Sequence, residues 1–166
     1  MIKFSIRQLK LTDKRFVFNL YNLGVTLNKF KNKKKIIFKD HSKWFSKIIN
    51  SKNDIIYIAN KNNIRIGYIK FKIFKGNCST ISIMLNPKHQ NLGFGSKLLL
   101  KSLNKISKNK NINIFYSEIL KKNKISLNFF KRNGFVEVKN KKNIKFSYNK
   151  KNYLLIRKND NKKFHK

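Results

Sequence analysis

The stretch NPKHQNLGFGSKLLL, residues 86–100, constrains the fold of this chain more than any other part of its sequence. It follows a short apolar segment, ISIML, and leads into a run with helical spacing. The chain has only six glycines, and two of them, Gly93 and Gly95, fall at this junction. Two interpretations follow: a tight strand-to-helix turn and nothing more, or a cradle of backbone N–H groups for a phosphate.

Apolar runs rich in β-branched residues predict the strands of a sheet. They lie at residues 2–9, 54–59, 64–74, 80–85 and 112–120, and the runs FVEV, KFSY and NYLLIRK follow Gly134. The polar segment NKNN joins the second strand to the third, which indicates a hairpin.

Helical spacing marks four further segments, bounded by cap and stop residues: Thr12 to Gly24, a short helix capped by Asp40, residues 95–107, and Asn123 through Arg132 to a stop at Gly134. The resulting order is β-α-α-β-β-β-α-β-α-β-β. It implies an α/β sandwich with a mixed, largely antiparallel central sheet flanked by helices. The length suits one domain, expected at residues 1–158, and the basic segment 159–166 is expected to be a solvated tail.

The net charge of +35 invites a nucleic-acid interpretation, because lysine-rich surfaces attract phosphates. Only five of the 41 basic residues are Arg, the usual residue for bidentate recognition. The lysines also recur all along the chain together with Asn, Ile and Phe, as in the protein of an A+T-rich genome. Weak, non-specific RNA affinity is therefore expected, and no specific nucleic-acid partner.

Membrane, secretory and metal-binding classes find no support in the sequence. No apolar run is long enough to span a bilayer, and the first residues lack the apolar core of a secretory signal. The lone Cys78 has neither a disulfide partner nor a metal-ligand companion. We therefore expect a cytoplasmic protein with no membrane partner and no metal.

The motif Gln90-x-x-Gly93-x-Gly95, between a strand and a long helix, resembles the acetyl-coenzyme A signature of the GCN5-related N-acetyltransferases (the GNAT family). Asn123-x-x-Ser126, followed by Phe130-x-x-x-Gly134-Phe135, resembles that family's second signature. The resemblance extends over essentially the whole chain. It implies the mixed sheet of that family, acetyl-coenzyme A as co-substrate, and transfer of the acetyl group to a primary amine.

The resemblance also assigns cofactor contacts. Backbone N–H groups would cradle the pyrophosphate at Leu92, Gly93, Phe94, Gly95 and Ser96, beside Gln90. The strand end at Met84 and Leu85 would pair with the pantetheine arm. Asn123 would contact the cofactor near its thioester, and Ser126 and Phe130 complete the predicted cofactor-binding set.

The segment DHSKWFSKI resembles the subgroup that acetylates 4-amino sugars on nucleotides, as in pseudaminic acid synthesis. It implies that His41, Trp44 and Phe45 bind the substrate, a UDP-linked amino sugar. The alternative for Trp44 and Phe45 is core packing at helical spacing, and for His41 a local hydrogen bond. Thr26 stands where the subgroup has an arginine, which leaves the exact substrate open.

Glu118 is the candidate general base. It is one of only six acidic residues and lies near the end of the predicted strand INIFYSEIL. Acetyl transfer requires that the acceptor ammonium lose its proton, and a carboxylate facing the cleft can accept it. Glu118 also matches an acidic active-site position of the amino-sugar subgroup. The alternative is a surface glutamate paired with a lysine.

The sequence leaves several alternatives for the group that donates a proton to the leaving thiolate. Many family members have a tyrosine where this chain has Phe130, which cannot donate a proton. Water, Ser126 or Tyr116 are the alternatives, or catalysis relies on proximity in a ternary complex.

Two rival functions remain open. A protein N-terminus or a small amine is the rival acceptor, and a basic RNA- or ribosome-associated module without catalysis is the rival class. The sequence also permits a homodimer.

Overall fold

The computed structural model of the protein describes residues 2–27, 34–74, 78–110, 112–138 and 144–149. The predicted strand NYLLIRK and the predicted tail at 159–166 lie outside these residues.

A seven-stranded sheet forms the centre of the molecule, in the order β1-β2-β3-β4-β5-β7-β6. Its strands are Phe4–Gln8, Asp54–Lys61, Ile64–Phe74, Cys78–Leu85, Ile114–Ile119, Val136–Val138 and Ile144–Asn149, numbered β1 to β7 along the chain. All neighbours are antiparallel except β4 and β5, which run parallel. This confirms the predicted largely antiparallel sheet and the predicted order of elements.

Four helices cover the two faces of the sheet: α1 at Lys14–Thr26, α2 at Phe38–Ile49, α3 at Phe94–Lys110 and α4 at Lys124–Arg132. Because side chains alternate along a strand, each strand contributes to two cores. Ile56 and Ile58 of β2 pack with α1 and α2, whereas Tyr57 and Ala59 pack with α3 and α4. The sheet therefore has an α1/α2 face and an α3/α4 face.

The β2–β3 hairpin turns through Asn62 and Asn63, whose φ angles are +48° and +67°. Asparagine tolerates this left-handed region better than most residues, and two such residues in succession are typical of the tight turns that match strand twist. The hairpin prediction for NKNN is confirmed.

The predicted caps of α1 and α2 are wrong. Thr12 lies inside a short 3-10 turn at Leu11–Asp13, and Asp13 takes the cap position of α1. Asp40 lies in the first turn of α2, which begins after Ile37. Asp13 is bonded to Arg7 and Arg65, and Ile36, which precedes the cap residue of α2, is hydrogen-bonded to Asn22. Local cap preferences do not include such distant contacts.

Gly24 does not end α1, as the sequence predicted, but is buried inside it. The helix continues to Thr26, and the next residue, Val25, is also buried. Glycine costs a helix only about 1 kcal/mol relative to alanine. Burial of the following turn outweighs that cost here.

Asp13 holds β1 and β3 to the start of α1. Its carboxylate is fully buried and accepts two hydrogen bonds from Arg7, at 2.6 and 2.7 Å, and one from Arg65 at 3.2 Å. The Lys10 N–H donates a further bond of 2.8 Å. Burial alone would raise the pKa of Asp13, but the Arg7, Lys10 and Arg65 donors together lower it below its ordinary value.

Asp13→Asn is expected to lower the free energy of unfolding at pH 7 by about 2–3 kcal/mol, because it replaces charge-assisted hydrogen bonds from two partly exposed arginines with weaker neutral ones. The folded-state pKa of Asp13 lies below that of the unfolded chain, so its contribution is complete above about pH 4 and is lost as the pH falls further. The difference in melting temperature between the wild type and Asp13→Asn should therefore decrease at acid pH.

Asp54→Asn is the matched control, because its partly buried pair with Lys70 (3.0 Å) engages one cation instead of two. Its loss should be about 1 kcal/mol or less. Thermal melts that show Asp54→Asn to be as destabilising as Asp13→Asn would remove the special role of the Asp13 cluster.

Candidate active site

The cleft begins where the two parallel strands separate. β4 and β5 pair only from Cys78 with Ile114 to Thr80 with Tyr116. Just beyond, the Ser117 hydroxyl donates to the Ile81 carbonyl across 3.4 Å. From there the edge of β4 that faces β5 has no strand partner among the described residues, so its backbone N–H and C=O groups are turned toward the opening.

The opening forms a cleft of about 510 Å³ between the ends of β4 and β5, the glycine turn and the start of α4. Ten residues predicted for the site line it: Met84, Leu85, Gln90, Gly93, Gly95, Ser96, Glu118, Asn123, Ser126 and Phe130. The two motifs that are far apart in sequence therefore meet on opposite walls of one cleft.

The end of β4 is fixed from two sides. A Cβ at Gly67 of β3 would stand 2.5 Å from the Met84 carbonyl oxygen, so only glycine allows the two strands to approach this closely. The Gln90 side-chain amide donates to the Leu85 carbonyl at 3.0 Å. Gln90 thus braces the strand end, a role that its place in the motif does not reveal.

The glycine turn leads directly into α3. Asn91 and Gly93 have φ angles of +59° and +76°, and a Cβ at Gly93 would meet no atom within 4 Å. The first helical bond runs from the Lys97 N–H to the Gly93 carbonyl at 3.1 Å. The N–H groups of Phe94 to Ser96 therefore have no partner inside the helix, and they lie at its positive end. This geometry suits an anion.

Gly95 has a second reason to be glycine. A Cβ there would stand 3.1 Å from Cε2 of Phe129 in α4, closer than ordinary contact distance. Gly95 thus lets α3 and α4 approach each other, while Gly93 keeps the cleft side of the turn open.

The side chains of Leu92 and Phe94 do not line the cleft. Leu92 is exposed, and the buried Phe94 ring stacks on Phe4 with a centroid distance of 5.7 Å. Only their backbone groups can contribute to the predicted cradle.

The second motif forms the opposite wall. Asn123 caps α4, as predicted, with its side-chain oxygen accepting from the Ser126 N–H at 3.2 Å. Phe130 is 2 % exposed and packs edge-on against Phe129 and Phe135, at 5.2 and 4.9 Å. The wall at the family's usual tyrosine position is therefore apolar and tightly packed.

Glu118 lies on the α1/α2 side of the separated strands. Side chains along β5 alternate between the two faces of the sheet, and the buried Phe115 and Ile119 pack on the α3/α4 side. The Glu118 side chain is therefore on the other side. Met84 of β4 packs on the same side as Glu118. Glu118 is exposed and is the one acidic residue among the described residues that line the cleft.

His41, Trp44 and Phe45 are not brought to the cleft. His41 and Phe45 are 1 % and 0 % exposed and pack in the core between α1, α2 and the sheet. In this arrangement they cannot touch a substrate, and the core-packing alternative describes them. Trp44 is half-buried beside them, with the Lys70 ammonium 5.3 Å from its ring centroid.

The His41 ring is held by one hydrogen bond. Its Nε2 lies 2.9 Å from the Lys14 carbonyl oxygen, and because a carbonyl only accepts, Nε2 carries the proton. Burial lowers the pKa of His41 below its ordinary value, against the raising effect of this bond. Four aromatic rings surround it, those of Phe18, Phe38, Trp44 and Phe45, so the imidazole is part of a packed aromatic cluster.

Sequence reasoning missed part of the lining. Leu27 at the end of α1 and Ile125 in α4 are exposed apolar residues that line the cleft, as does Arg132. The Ser117 hydroxyl of β5 bonds to the Ile81 carbonyl of β4 where the two strands separate. Arg132 falls inside the second motif, but nothing local in the sequence marks Leu27 or Ser117.

The described residues contain neither a membrane-spanning helix nor a cluster of metal ligands. None of the helices is long and apolar enough to cross a membrane. No group of three or more His, Cys, Asp or Glu side chains is placed to hold a metal ion.

The fold is shared with solved acetyltransferases. A spermidine N-acetyltransferase from Vibrio cholerae, in complex with CoA and spermine, is 19 % identical with a TM-score of 0.80, over 91 % of this chain and 98 % of that one. A ribosomal-protein-alanine N-acetyltransferase from Brucella melitensis is 17 % identical with a TM-score of 0.74, over 87 % and 99 %. A putative acetyltransferase from Salmonella typhimurium, with acetyl-CoA, is 17 % identical with a TM-score of 0.72, over 89 % and 94 %.

No curated protein sequence matches the chain significantly. The model of the acetyltransferase (GNAT) family, in contrast, matches residues 25–135. That range contains both motifs and both walls of the cleft. The chain belongs to the acetyltransferase (GNAT) family and is an acetyl-coenzyme A-dependent N-acetyltransferase.

Proposed function

We propose that the protein acetylates the primary amine of an anionic small molecule, and that the 4-amino group of a UDP-linked amino sugar is the first candidate. The observation that carries this proposal is the charge balance. The chain has a net charge of +35 and six acidic residues, of which Glu118 alone lines the described cleft. Such a field draws in anions and repels cations.

Net charge distinguishes this acceptor from those named for the solved structures. Spermidine is a polycation, and it would have to enter a strongly basic protein past a single described carboxylate in the cleft. A UDP-linked sugar brings its own diphosphate and is attracted instead. The non-catalytic RNA module is set aside, because the cleft and the glycine turn are intact.

The two faces of the cleft suit two ligands. Acetyl-coenzyme A would lie on the α3/α4 side, with its pyrophosphate at the N–H groups of Phe94 to Ser96 and its pantetheine along the free edge of β4 near Met84 and Leu85. The acceptor would enter from the α1/α2 side, where Glu118 is exposed. The amine and the thioester would then meet between the separated strands.

Glu118 is the proposed general base. It accepts a proton from the acceptor ammonium, and the free amine attacks the thioester carbonyl carbon. The carbon–sulfur bond breaks, the nitrogen releases its second proton to solvent as the amide forms, and the sulfur leaves as a thiolate that takes a proton from solvent. Phe130 cannot supply that proton.

Two of the earlier candidates for the donor differ in position. Ser126 lines the cleft, whereas Tyr116 lies in the paired part of β5 and is not among its lining residues. Ser126 is therefore the better placed of the two to pass a proton from solvent to the thiolate.

Replacement of Gly93 should weaken binding of acetyl-coenzyme A. Gly93→Ala adds a Cβ on the open side of the turn and strains a left-handed φ of +76°. We expect the dissociation constant to rise at least about tenfold, and the stabilisation by acetyl-coenzyme A in a thermal melt to shrink accordingly.

Gly134→Ala is the matched control, because its φ is +81° and the residue is not among those that line the cleft. Gly134→Ala imposes the same kind of backbone strain at a residue that is not part of the cradle. Equal weakening in both variants would mean that backbone strain, and not the cradle, explains the loss.

Replacement of Glu118 should slow the transfer step. Glu118→Gln keeps the shape of the side chain but cannot accept the proton, so kcat should fall about 10²-fold or more while acetyl-coenzyme A binding stays unchanged. The defect should shrink at high pH, where the acceptor amine loses its proton to solvent. Steady-state kinetics across pH measure this directly.

Glu137→Gln serves as the control for charge, because Glu137 lies on the surface with Lys131 3.6 Å away. It should leave the kinetics unchanged. A Glu118→Gln defect confined to KM and independent of pH would instead make Glu118 a binding residue.

The acceptor class can be tested with a panel that includes UDP-linked 4-amino sugars, spermidine and a peptide with a free N-terminus. The anionic acceptor should give the highest kcat/KM, and added salt should lower that value because it screens the attraction. For spermidine, salt should have the opposite effect. A preference for spermidine at low salt would overturn the acceptor proposal and leave the acetyltransferase assignment intact.

A further inference from the structure

The outer face of α3 carries a regular series of lysines. Lys97, Lys101, Lys105 and Lys108 are all exposed, and we call them the lysine row. At 3.6 residues per turn they fall within an arc of about 80° and span about 16 Å along the helix. The opposite face of α3 is buried against the sheet through leucines such as Leu99 and Leu103.

Aromatic rings lie beneath the row. The Lys97 ammonium is 5.8 Å from the Phe94 ring centroid, and the Lys101 ammonium is 5.6 Å from that of Phe4. These two rings stack on each other. Contacts of this kind hold a lysine stem against the surface while its charge stays in water.

Two further lysines have similar contacts with aromatic rings. Lys105 lies 5.4 Å from the Tyr57 ring centroid, and Lys61 of β2 lies 5.5 Å from that of Phe94. Three lysines of the row and one from the adjacent sheet therefore have a ring within cation–π distance, which favours the conformers in which each stem lies against the surface.

The row has no acidic counterpart in its helix. The sequence of α3 contains neither Asp nor Glu. The ion pairs of Asp13, Asp54 and Glu137 engage Arg7, Arg65, Lys70 and Lys131, and not the lysines of the row. Its positive charge is thus available to an external anion.

We propose that the lysine row docks the phosphate backbone of an RNA strand, without reading its sequence. Lysines act as point charges, and the row contains no arginine that could pair with a base edge in bidentate fashion. Attraction to phosphates and release of counterions suffice for this type of binding.

Other polyanions fit the surface less well. A membrane-bound helix inserts its apolar face, but that face of α3 is buried in the core. A protein partner needs an apolar centre in its interface, and the exposed residues of α3 up to residue 108 are the four lysines and Asn104.

The row is separate from the catalytic cleft. The N-terminus of α3 contributes to the cleft through Gly95 and Ser96, whereas Lys101, Lys105 and Lys108 lie further along the helix and do not line it. RNA docking and acetyl transfer can therefore be tested independently.

The test compares two triple variants of the full-length protein. One is Lys101→Gln, Lys105→Gln and Lys108→Gln in the row. The matched control is Lys39→Gln, Lys43→Gln and Lys47→Gln on α2, where three exposed lysines have similar spacing but Asp40 lies beside them. Both remove three charges, and glutamine keeps helix propensity.

Fluorescence anisotropy of a labelled 12-nucleotide oligouridylate, titrated between 50 and 200 mM KCl, reports binding. Each lost phosphate contact removes about 0.7 from the slope of log K against log salt, so the row variant should lose about 2 and the α2 variant less than 1. Lys→Arg at the same three row positions should restore binding.

Three outcomes would overturn the proposal. Equal losses in the two triple variants would mean that binding follows total charge and has no fixed surface. Tighter binding to a 12-base-pair DNA duplex than to the RNA strand would reject the single-strand partner. No measurable binding of the wild-type protein at 50 mM KCl would reject docking altogether. Unchanged melting temperature and acetyl-coenzyme A affinity show that both triple variants are folded.

Discussion

The separation of β4 from β5 after Thr80 is the constraint on which the site depends. A parallel pair that continued would satisfy its own backbone and leave no room for a ligand. Here the end of β4 stays rigid without that partner, because Gly67 lets β3 approach closely and Gln90 binds the Leu85 carbonyl. The cleft is thus an interruption of the sheet that the neighbouring residues hold open.

The chemistry of the cleft is concentrated in few polar groups. Backbone N–H groups at the start of α3 and the carboxylate of Glu118 face it from different sides, and the packed Phe130 closes the wall where a hydroxyl is usual in the family. With no proton donor at that position, the proposed mechanism relies on bringing the amine and the thioester together and on removing a proton from the amine.

The sequence predicted the order of elements well, because that order rests on local signals such as alternating apolar residues. The Asn123 cap and the glycine turn are also local signals, and both lie at the cleft. It failed where tertiary contacts decide. The spacing of His41 and Phe45 fits either a core or a cleft, and only the fold shows that they pack inward. Gly24 stays helical because its neighbours are buried, and Ser117 gains its position from a strand distant in sequence.

In this chain the positions of the acidic residues say more about function than the positions of the basic residues. Lysine occurs throughout the sequence, so a lysine at a given position says little by itself. Asp13, Asp54 and Glu137 form ion pairs away from the cleft, and Glu118 is the described carboxylate that lines it. Lysines become informative only where the fold arranges them, as on α3, where helical spacing puts four of them on one face and rings lie within cation–π distance of three. The arrangement of lysines on the fold, and not the net charge, distinguishes a binding surface from other basic parts of the surface.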